Sequence, residues 1–335
     1  MKMSDLAKIA GVSKSTVSRA LANSELVTEE TRTRIKALAK EHGYRMDARA
    51  RNFRKRETLT IGVLVPMPSN SQGEPPATNP FVLEMLGALA DELEKKGHEL
   101  LFAKHSNRDP SWLREFVETR SVDGVIILGQ NIYHDILNEI ALDYPNLVVW
   151  GARMPEQNYI TVGSDNYLGG KLVAEHLLQQ GCKQLTFLGN TTCPESMQRF
   201  AGFKDTVETL VPDTELNVID CRENHNDGGY RLVSEYVQAN KPMDGLFAAS
   251  DLLANRAIQA LRSCQIKVPS DVRIVGYDNI SSSEFMTPAL TSINQNCRIA
   301  AQKLVDKVFA RINGKQAESE LIPTALIIRE STGVN

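Results

Sequence analysis

The spacing of apolar positions changes character near residue 59. Before it, apolar residues recur three or four positions apart, the period of helices that bury one face. After it, short apolar runs such as "LTIGVLVP" and "NLVVWG" alternate with longer helical stretches such as "FVLEMLGALADELEKKG". The pattern predicts a small all-α module followed by an α/β body.

The N-terminal module is predicted to contain three helices. The first runs from Met3 to Ala10 with Leu6, Ile9 and Ala10 on one face, and Gly11 ends it. The next two are expected to start after capping side chains, those of Ser13 and Thr28.

The second helix, "KSTVSRALA", has an apolar inner face and a polar outer face. Val17 and Leu21 face inward, and the outer positions are Lys14, Ser15, Thr16 and Arg19. A helix-turn-helix unit of this kind is suited to the DNA major groove, where Arg19 can pair with guanine edges. A helical hairpin with a merely solvated polar face is the alternative.

The charge distribution favours a DNA partner for this module. Residues 1–58 contain 14 Lys and Arg against 7 Asp and Glu, whereas residues 59–335 contain 24 against 34. A cationic segment on an acidic body indicates a module that meets a polyanion.

The pattern of the body predicts two α/β lobes. These lobes are expected to enclose a cleft at the carboxyl ends of their strands, where doubly wound sheets bind ligands. Polar residues follow several of these strands: Gln130, Arg153, Asp165, Asn166, Ser250, Asp251, Asp278 and Asn279. Each of these residues alone could be a helix cap or part of a turn. Because several of them are expected to converge on one cleft, a small polyhydroxylated ligand is favoured. Phe81 can supply an apolar face for a sugar ring, or simply pack.

Composition narrows the classes of function. The longest apolar runs fall well short of the roughly 20 residues that span a bilayer, and no signal-peptide core is evident, so we expect a cytoplasmic protein. The five cysteines are scattered and no histidines stand at metal-ligand spacing, so neither disulfides, a metal nor a cofactor is expected. Signatures of catalysis are lacking, so an enzyme is not expected.

The segment "DLAKIAGVSKSTVSRALA", followed by "VTEETRTRI" and "GY", closely resembles the DNA-binding domain of the LacI/GalR (lactose-repressor) family of bacterial transcriptional regulators. The resemblance implies base contacts for Ser15, Thr16 and Arg19, and a base or phosphate contact for Lys14. It also implies a hinge helix in which Phe53, replacing the usual leucine, wedges into the minor groove. The other hinge residues expected at the DNA are Arg49, Ala50 and Arg51.

The resemblance continues through the body in "NPF", "DGVII", "RFAGF", "VPSDVRIVGYDN" and "PALTSINQ". It implies a two-lobed effector domain similar to periplasmic sugar-binding proteins, with ligand contacts at Phe81, Arg199, Asp278 and Gln295. With the residues that follow strands, the expected effector site comprises Phe81, Gln130, Arg153, Arg199, Asp251, Asp278 and Gln295.

The expected organisation follows from these motifs. It comprises a DNA-binding domain (1–45), a hinge and linker (46–58) and an effector and dimerisation domain (59–335), with lobe 1 at about 59–162 and 291–320 and lobe 2 at about 163–290 and 321–335. The expected function is a homodimeric repressor of carbohydrate-utilisation genes on a pseudo-palindromic operator, controlled by a sugar. A free-standing sugar-binding protein is the alternative.

Overall fold

The computed structural model describes most of the chain. The described residues are 1–21, 23–44, 58–66, 79–105, 111–119, 122–130, 133–212, 214–221 and 228–333. The chain forms two compact units, Met1–Leu59 and Thr60–Asn335, called here the head and the body.

The head contains α1 (Met3–Ala10), α2 (Lys14–Leu21) and α3 (Glu29–Glu41) around a small core. Gly11 ends α1 in the left-handed conformation, with φ of +61°, which glycine adopts without steric cost. The Ser13 and Thr28 hydroxyls accept hydrogen bonds from backbone N–H groups at the starts of α2 and α3, which confirms both predicted caps.

One prediction for the first helix is wrong. Ile9 is 48% exposed, and Ala7 takes the inner position beside Leu6 and Ala10. Successive residues of a helix are about 100° apart around its axis. Leu6, Ala7 and Ala10 therefore lie within one arc, which faces the core, and Ile9 lies outside that arc.

The body consists of alternating strands and helices in two successive halves. The first half contains β1 (Thr60–Pro66), α4 (Pro80–Lys95), β2 (Glu99–His105), α5 (Ser111–Thr119), β3 (Gly124–Leu128), α6 (His134–Asp143), β4 (Leu147–Trp150) and β5 (Ile160–Ser164). The second half contains α7 (Asn166–Gln179), β6 (Leu185–Gly189), α8 (Pro194–Leu210), β7 (Leu216–Asp220), α9 (Gly228–Gln238), β8 (Gly245–Ala248), α10 (Asp251–Ser263) and β9 (Arg273–Asp278).

The C-terminal part of the body passes between the two halves. Its elements are a 3₁₀ turn (Ser281–Phe285), β10 (Thr291–Asn294), α11 (Cys297–Ile312), β11 (Glu320–Ile322), β12 (Ala325–Ile327) and a second 3₁₀ turn (Glu330–Thr332). The first sheet has the strand order β11-β5-β4-β3-β1-β2, and the second has β12-β10-β9-β8-β6-β7. All pairings are parallel except the antiparallel β10–β12 pair.

Both faces of each sheet are covered by helices, which gives each lobe two apolar layers. Strand β3, "GVIIL", is buried at every position, as expected for a parallel strand between helical layers. The two-lobed α/β prediction is therefore confirmed.

The lobe boundaries differ from the prediction by a few residues. Strand β10 was assigned to lobe 1, but it pairs with β9 and β12 in the second sheet. Strand β11, which was divided between the lobes, pairs with β5 in the first. Strands of three or four residues carry too little pattern to reveal which sheet they join.

Three further structural facts concern the described ranges. Their helices do not combine the length and hydropathy that a bilayer crossing requires. No group of three or more His, Cys, Asp and Glu side chains is arranged there to hold a metal ion. All five cysteines are free thiols, but only Cys182 and Cys221 are buried.

Candidate functional site

The outer face of α2 presents the polar residues that the sequence predicts will contact DNA. Lys14, Ser15 and Arg19 are exposed and Thr16 is half-buried, whereas Val17 on the inner face is fully buried. The Ser13 hydroxyl lies 2.7 Å from that of Ser15 and 2.9 Å from that of Thr16. The N-terminal end of α2 is thus a cluster of hydroxyls beside Lys14, and Arg19 follows in the last turn of the helix.

Arg32 is a structural residue of the head that sequence reasoning missed. Its Nη2 donates to the carbonyl oxygens of Ser24 at 3.2 Å and Val27 at 3.1 Å, and its Nη1 pairs with Glu29 at 2.6 Å. One guanidinium therefore fixes the connection between α2 and α3. The three-residue spacing between Glu29 and Arg32 indicates their ion pair on one helix. The hydrogen bonds from Arg32 to the preceding loop cannot be predicted from the sequence pattern.

The hinge predictions fall outside the described residues. They concern Arg49, Ala50, Arg51 and Phe53, which lie between residues 44 and 58. The proposed roles of these four residues stay predictions.

In the body, a chain of hydrogen bonds joins the two lobes at the ends of their strands. Ser164, at the end of β5 in the first sheet, donates from Oγ to Gln295 Oε1 at 2.6 Å. Gln295 follows β10 in the second sheet, and its Nε2 donates to Asp278 Oδ1 at 2.5 Å. Ser164 and Gln295 are each only 2% exposed, so the link is shielded from water.

Arg199 lies in α8 beside this chain and is itself largely buried. Its Nε donates to Asn166 Oδ1 at 2.8 Å, and its Nη1 donates to the Ala249 carbonyl oxygen at 2.6 Å. Its guanidinium carbon lies 3.7 Å from the centre of the Tyr277 ring, a cation–π contact. The structure thus brings together three predicted residues, Arg199, Asp278 and Gln295.

Asp278 occupies a strained backbone position beside charged and amide side chains. Its φ is +117°, a conformation that non-glycine residues rarely adopt, and Asn279 follows with φ of +50°. Burial raises the pKa of the Asp278 carboxyl, the Arg199 charge opposes that rise, and the Asp251 charge adds to it. Perturbed carboxyl groups beside a cleft are typical of functional sites.

Asp251 lies beneath Asp278 with its carboxylate occupied by internal donors. Oδ2 accepts from the Ile280 N–H at 3.0 Å and from Ser283 Oγ at 2.6 Å, and Oδ1 accepts from Ser292 Oγ at 2.5 Å. Burial raises the pKa of Asp251, and these hydrogen bonds lower it. The side chain is fully buried, so its predicted effector contact stays a prediction, whereas its hold on the turn after Asp278 is direct.

The position of Arg199 depends on close packing of α7 against α8. A Cβ on Gly170 in α7 would lie 2.8 Å from the Phe203 backbone nitrogen and closer still to the Arg199 carbonyl oxygen. A Cβ on Gly202 in α8 would collide with the Tyr167 carbonyl in the same way. Only glycine at these positions lets the two backbones approach closely enough to put Arg199 beside Asn166.

Other predicted residues lie elsewhere at the boundary between the lobes. Gln130 is fully buried, and its Nε2 donates to the Ala152 carbonyl oxygen. Arg153 is exposed, and its carbonyl oxygen accepts from Gln198 of the second lobe at 3.2 Å. Phe81, at the start of α4, lies with its ring centroid 5.9 Å from that of Trp150.

Sequence reasoning missed several members of this site. The sequence indicates Asn166 only as a polar residue after a strand, and it does not indicate Ser164, Tyr277 or Trp150. The roles of these residues depend on neighbours that are far away in sequence. The one available signal was the position of Asn166 in a loop after a strand. Together, the site offers a guanidinium, a carboxylate and amide groups beside aromatic rings, which suits a polyhydroxylated ligand.

The architecture is that of a two-module protein with a helix-turn-helix head and a two-lobed ligand-binding body. Residues 2–47 match the model for bacterial regulatory proteins of the lacI family, and residues 174–332 match that for the periplasmic binding protein-like domain. The head therefore belongs with the lacI-family regulatory proteins, and the body with the periplasmic binding protein-like domains. The chain is a DNA-binding transcriptional regulator and not an enzyme.

Similar proteins cover nearly the whole chain. The transcriptional regulator CelR of Thermobifida fusca is 27% identical over an alignment of 338 positions that covers 97% of this chain and 96% of CelR. A Lac repressor dimer bound to operator and the anti-inducer ONPF superposes with a TM-score of 0.85 at 22% identity, covering 100% of this chain and 99% of that one. A CelR–cellobiose complex superposes with a TM-score of 0.70 at 26% identity, covering 99% of both chains.

Proposed function

We propose that this chain is a sugar-responsive repressor that acts in the cytoplasm as a homodimer on a pseudo-palindromic operator. The observation that carries the proposal is the buried Ser164–Gln295–Asp278 chain, which connects the two lobes beside Arg199. A ligand that competes for these groups changes the connection between the lobes, so binding and lobe geometry are coupled.

The head reads the operator through the outer face of α2. Arg19 pairs with guanine edges, Ser15 and Thr16 contact bases, and Lys14 contacts a base or phosphate. One recognition helix covers too little DNA for specificity, which supports a dimer on a two-fold symmetric site. The Lac repressor dimer on operator is a structural precedent for this arrangement.

The hinge completes the DNA contact in the same proposal. Arg49 and Arg51 neutralise phosphates, and Ala50 permits close approach of the two hinges. Phe53 inserts between base steps in the minor groove. Phe53→Ala is expected to lower operator affinity and to leave sugar binding intact, as measured by gel shift and calorimetry.

The cleft binds the sugar through Arg199, Asp278 and Gln295, with Phe81 and Trp150 providing an apolar surface near the ring. Gln130 and Arg153 contribute at the other side of the cleft. Asp251 supports the site from below by holding the turn after Asp278. The cellobiose bound to CelR, a relative of matching length, supports a carbohydrate as the effector class.

The experiment is a thermal-shift screen of mono- and disaccharides, including cellobiose and ribose, on the full chain. Each sugar that stabilises the protein is then tested in gel shifts with an operator selected from random DNA. Ser164→Ala serves as a coupling variant, because it removes the Ser164–Gln295 hydrogen bond between the lobes and leaves the Arg199 and Asp278 side chains in place. It is expected to bind the sugar and to respond less in the gel shift. If no sugar changes operator affinity, the proposal is wrong.

A further inference from the structure

Glu195 is an acidic side chain that faces the opposite lobe. It stands in the first turn of α8, in the second lobe, and its Oε1 lies 3.2 Å from the point that a Cβ on Gly151 of the first lobe would occupy. Gln130 Oε1 lies beside the same point. Gln130 is fully buried, and this oxygen has no hydrogen-bond partner among the described residues. Two acceptor oxygens therefore converge where the lobes meet.

The donors near these oxygens are weak or already engaged. The Cys193 thiol donates to Glu195 Oε2 at 3.0 Å, which is a weak hydrogen bond. The Tyr159 hydroxyl is engaged with His134 Nδ1 at 2.7 Å. Burial first, and then the Glu195 charge, raises the pKa of both Cys193 and Tyr159. The Glu195 charge therefore acts on Cys193 in its own lobe and on Tyr159 in the opposite lobe.

The nearby buried cation does not neutralise Glu195. The Arg199 guanidinium donates to Asn166 and the Ala249 carbonyl, stacks on Tyr277 and opposes the rise in the Asp278 pKa. The exposed Arg153 is tied to the second lobe through its carbonyl oxygen. Within the described ranges, the ion pairs do not include Glu195, and the side chain that donates a hydrogen bond to its carboxylate is the Cys193 thiol.

A simpler explanation for Glu195 is its place in the first turn of a helix, where a carboxylate is stabilised by the helix dipole. That explanation requires no particular direction of the side chain, and a solvent-facing carboxylate would serve equally well. Glu195 instead lies against Gly151 of the other lobe, beside an unpaired buried oxygen. Both features indicate a ligand that brings donors to this point.

We propose that Glu195 sets the charge class of the effector, so that the cleft accepts an uncharged sugar or an amino sugar and excludes sugar phosphates and sugar acids. The inference rests on the proposed sugar-binding function. A sugar hydroxyl or ammonium donates to Glu195 in a charge-assisted hydrogen bond. A phosphate or carboxylate at this point meets the like charge of Glu195 and the acceptor oxygen of Gln130, which is how sites reject a wrong ligand.

The test is calorimetric titration of the full chain with neutral, cationic and anionic probes. The probes are cellobiose and glucose, glucosamine, and the anionic glucose 6-phosphate and gluconate. The wild type is expected to bind a neutral or amino sugar at least tenfold tighter than the anionic probes. Glu195→Gln keeps the shape and removes the charge. It is expected to bind the preferred sugar about tenfold more weakly and the anionic probes about tenfold more tightly.

The matched control is Glu208→Gln, which neutralises an exposed carboxylate on the same helix, 3.6 Å from Lys204 Nζ. It is expected to leave all affinities unchanged. Equal losses for neutral and anionic probes in Glu195→Gln would assign the residue a structural role and overturn the inference. Tight wild-type binding of an anionic probe would also overturn it while leaving sugar sensing intact. Failure of every probe to bind, together with a thermal-shift screen that finds no stabilising sugar, would reject sugar sensing itself.

Discussion

The outer face of α2 and the cleft of the body are both polar, but their side chains differ in what surrounds them. Lys14, Ser15 and Arg19 are exposed on a helix whose stability comes from its opposite face. Arg199 and Gln295 are buried and already hydrogen-bonded to protein groups. A ligand of α2 gains contacts with solvated groups, whereas a ligand of the cleft must exchange contacts inside a network.

Because of this difference, substitutions on α2 and substitutions in the cleft should affect stability and binding differently. Removing an exposed side chain costs the contact that it makes with DNA and little else. Removing a buried member of a network leaves its partners unpaired, which destabilises the fold as well as the binding. Stability and binding should therefore change together in the cleft and separately on α2.

Arg199→Ala is expected to have the largest effect. It leaves Asn166 Oδ1 and the Ala249 carbonyl oxygen buried without their donor. Because loss of one partner from a buried charged network is costly, the body should lose about 4 kcal/mol of unfolding free energy, together with sugar binding. Chemical denaturation and calorimetry measure the two losses. Arg199→Lys, which keeps the charge but not the fork of donors, should recover stability only in part. Full stability of Arg199→Ala would contradict the buried network.

Gly170→Ala tests whether the cleft depends on helix packing remote from the ligand. A methyl group there collides with the backbone of α8 at Arg199 and Phe203, and backbone cannot move aside as a flexible side chain can. The expected loss is about 3 kcal/mol, as for other overpacked sites, with weaker sugar binding. Gly87→Ala on α4 is the control, because its added Cβ meets nothing within 4 Å. Equal stability of the two variants would disprove the close approach.

Arg19→Ala tests whether a side chain on the outer face of α2 can be removed without loss of stability. The side chain is exposed, so the melting temperature of the head should not change. Loss of a bidentate guanine contact should weaken specific operator binding by about 2 kcal/mol per half-site, measured by gel shift against non-specific competitor. Sugar affinity should equal that of the wild type. A coupled fall in stability would show that α2 is not the free surface inferred from its exposure.

Sequence reasoning predicted the architecture well because periodicity and caps are local properties. The buried run of β3 and the hydroxyl caps of Ser13 and Thr28 were each readable from a few adjacent residues. The site was only partly predictable, because partners such as Ser164 and Gln295 are 131 residues apart.

The two aspartates of the second lobe show where prediction from sequence stops. Asp251 and Asp278 both follow a strand by position, and both were expected at the ligand. In the structure Asp251 is fully buried under three internal donors, whereas Asp278 is partly accessible. The direction of a carboxylate after a strand depends on hydroxyls that fold against it, here Ser283 and Ser292, and no local pattern records this.

At pH 5, Asp278→Asn is expected to have the smallest effect on stability of the variants in the body, and that effect should change with pH. Burial raises the pKa of Asp278 in the folded state above its unfolded value, so the native protein holds a proton that the unfolded chain releases. The stability that this group contributes is fully present below about pH 4, the unfolded pKa, and is lost as the pH rises toward the folded pKa. Asparagine keeps an oxygen for Gln295 and has no charge to bury.

The stability advantage of Asp278→Asn over the wild type should therefore grow with pH, by about 1 kcal/mol per pH unit at most. Urea denaturation between pH 5 and pH 8 measures it. Asp91→Asn, at an exposed position on α4, should show no such trend. An advantage that stays constant between pH 5 and pH 8 would mean that Arg199 holds Asp278 ionised in the folded state. The cleft would then contain a buried ion pair rather than a protonated carboxyl group.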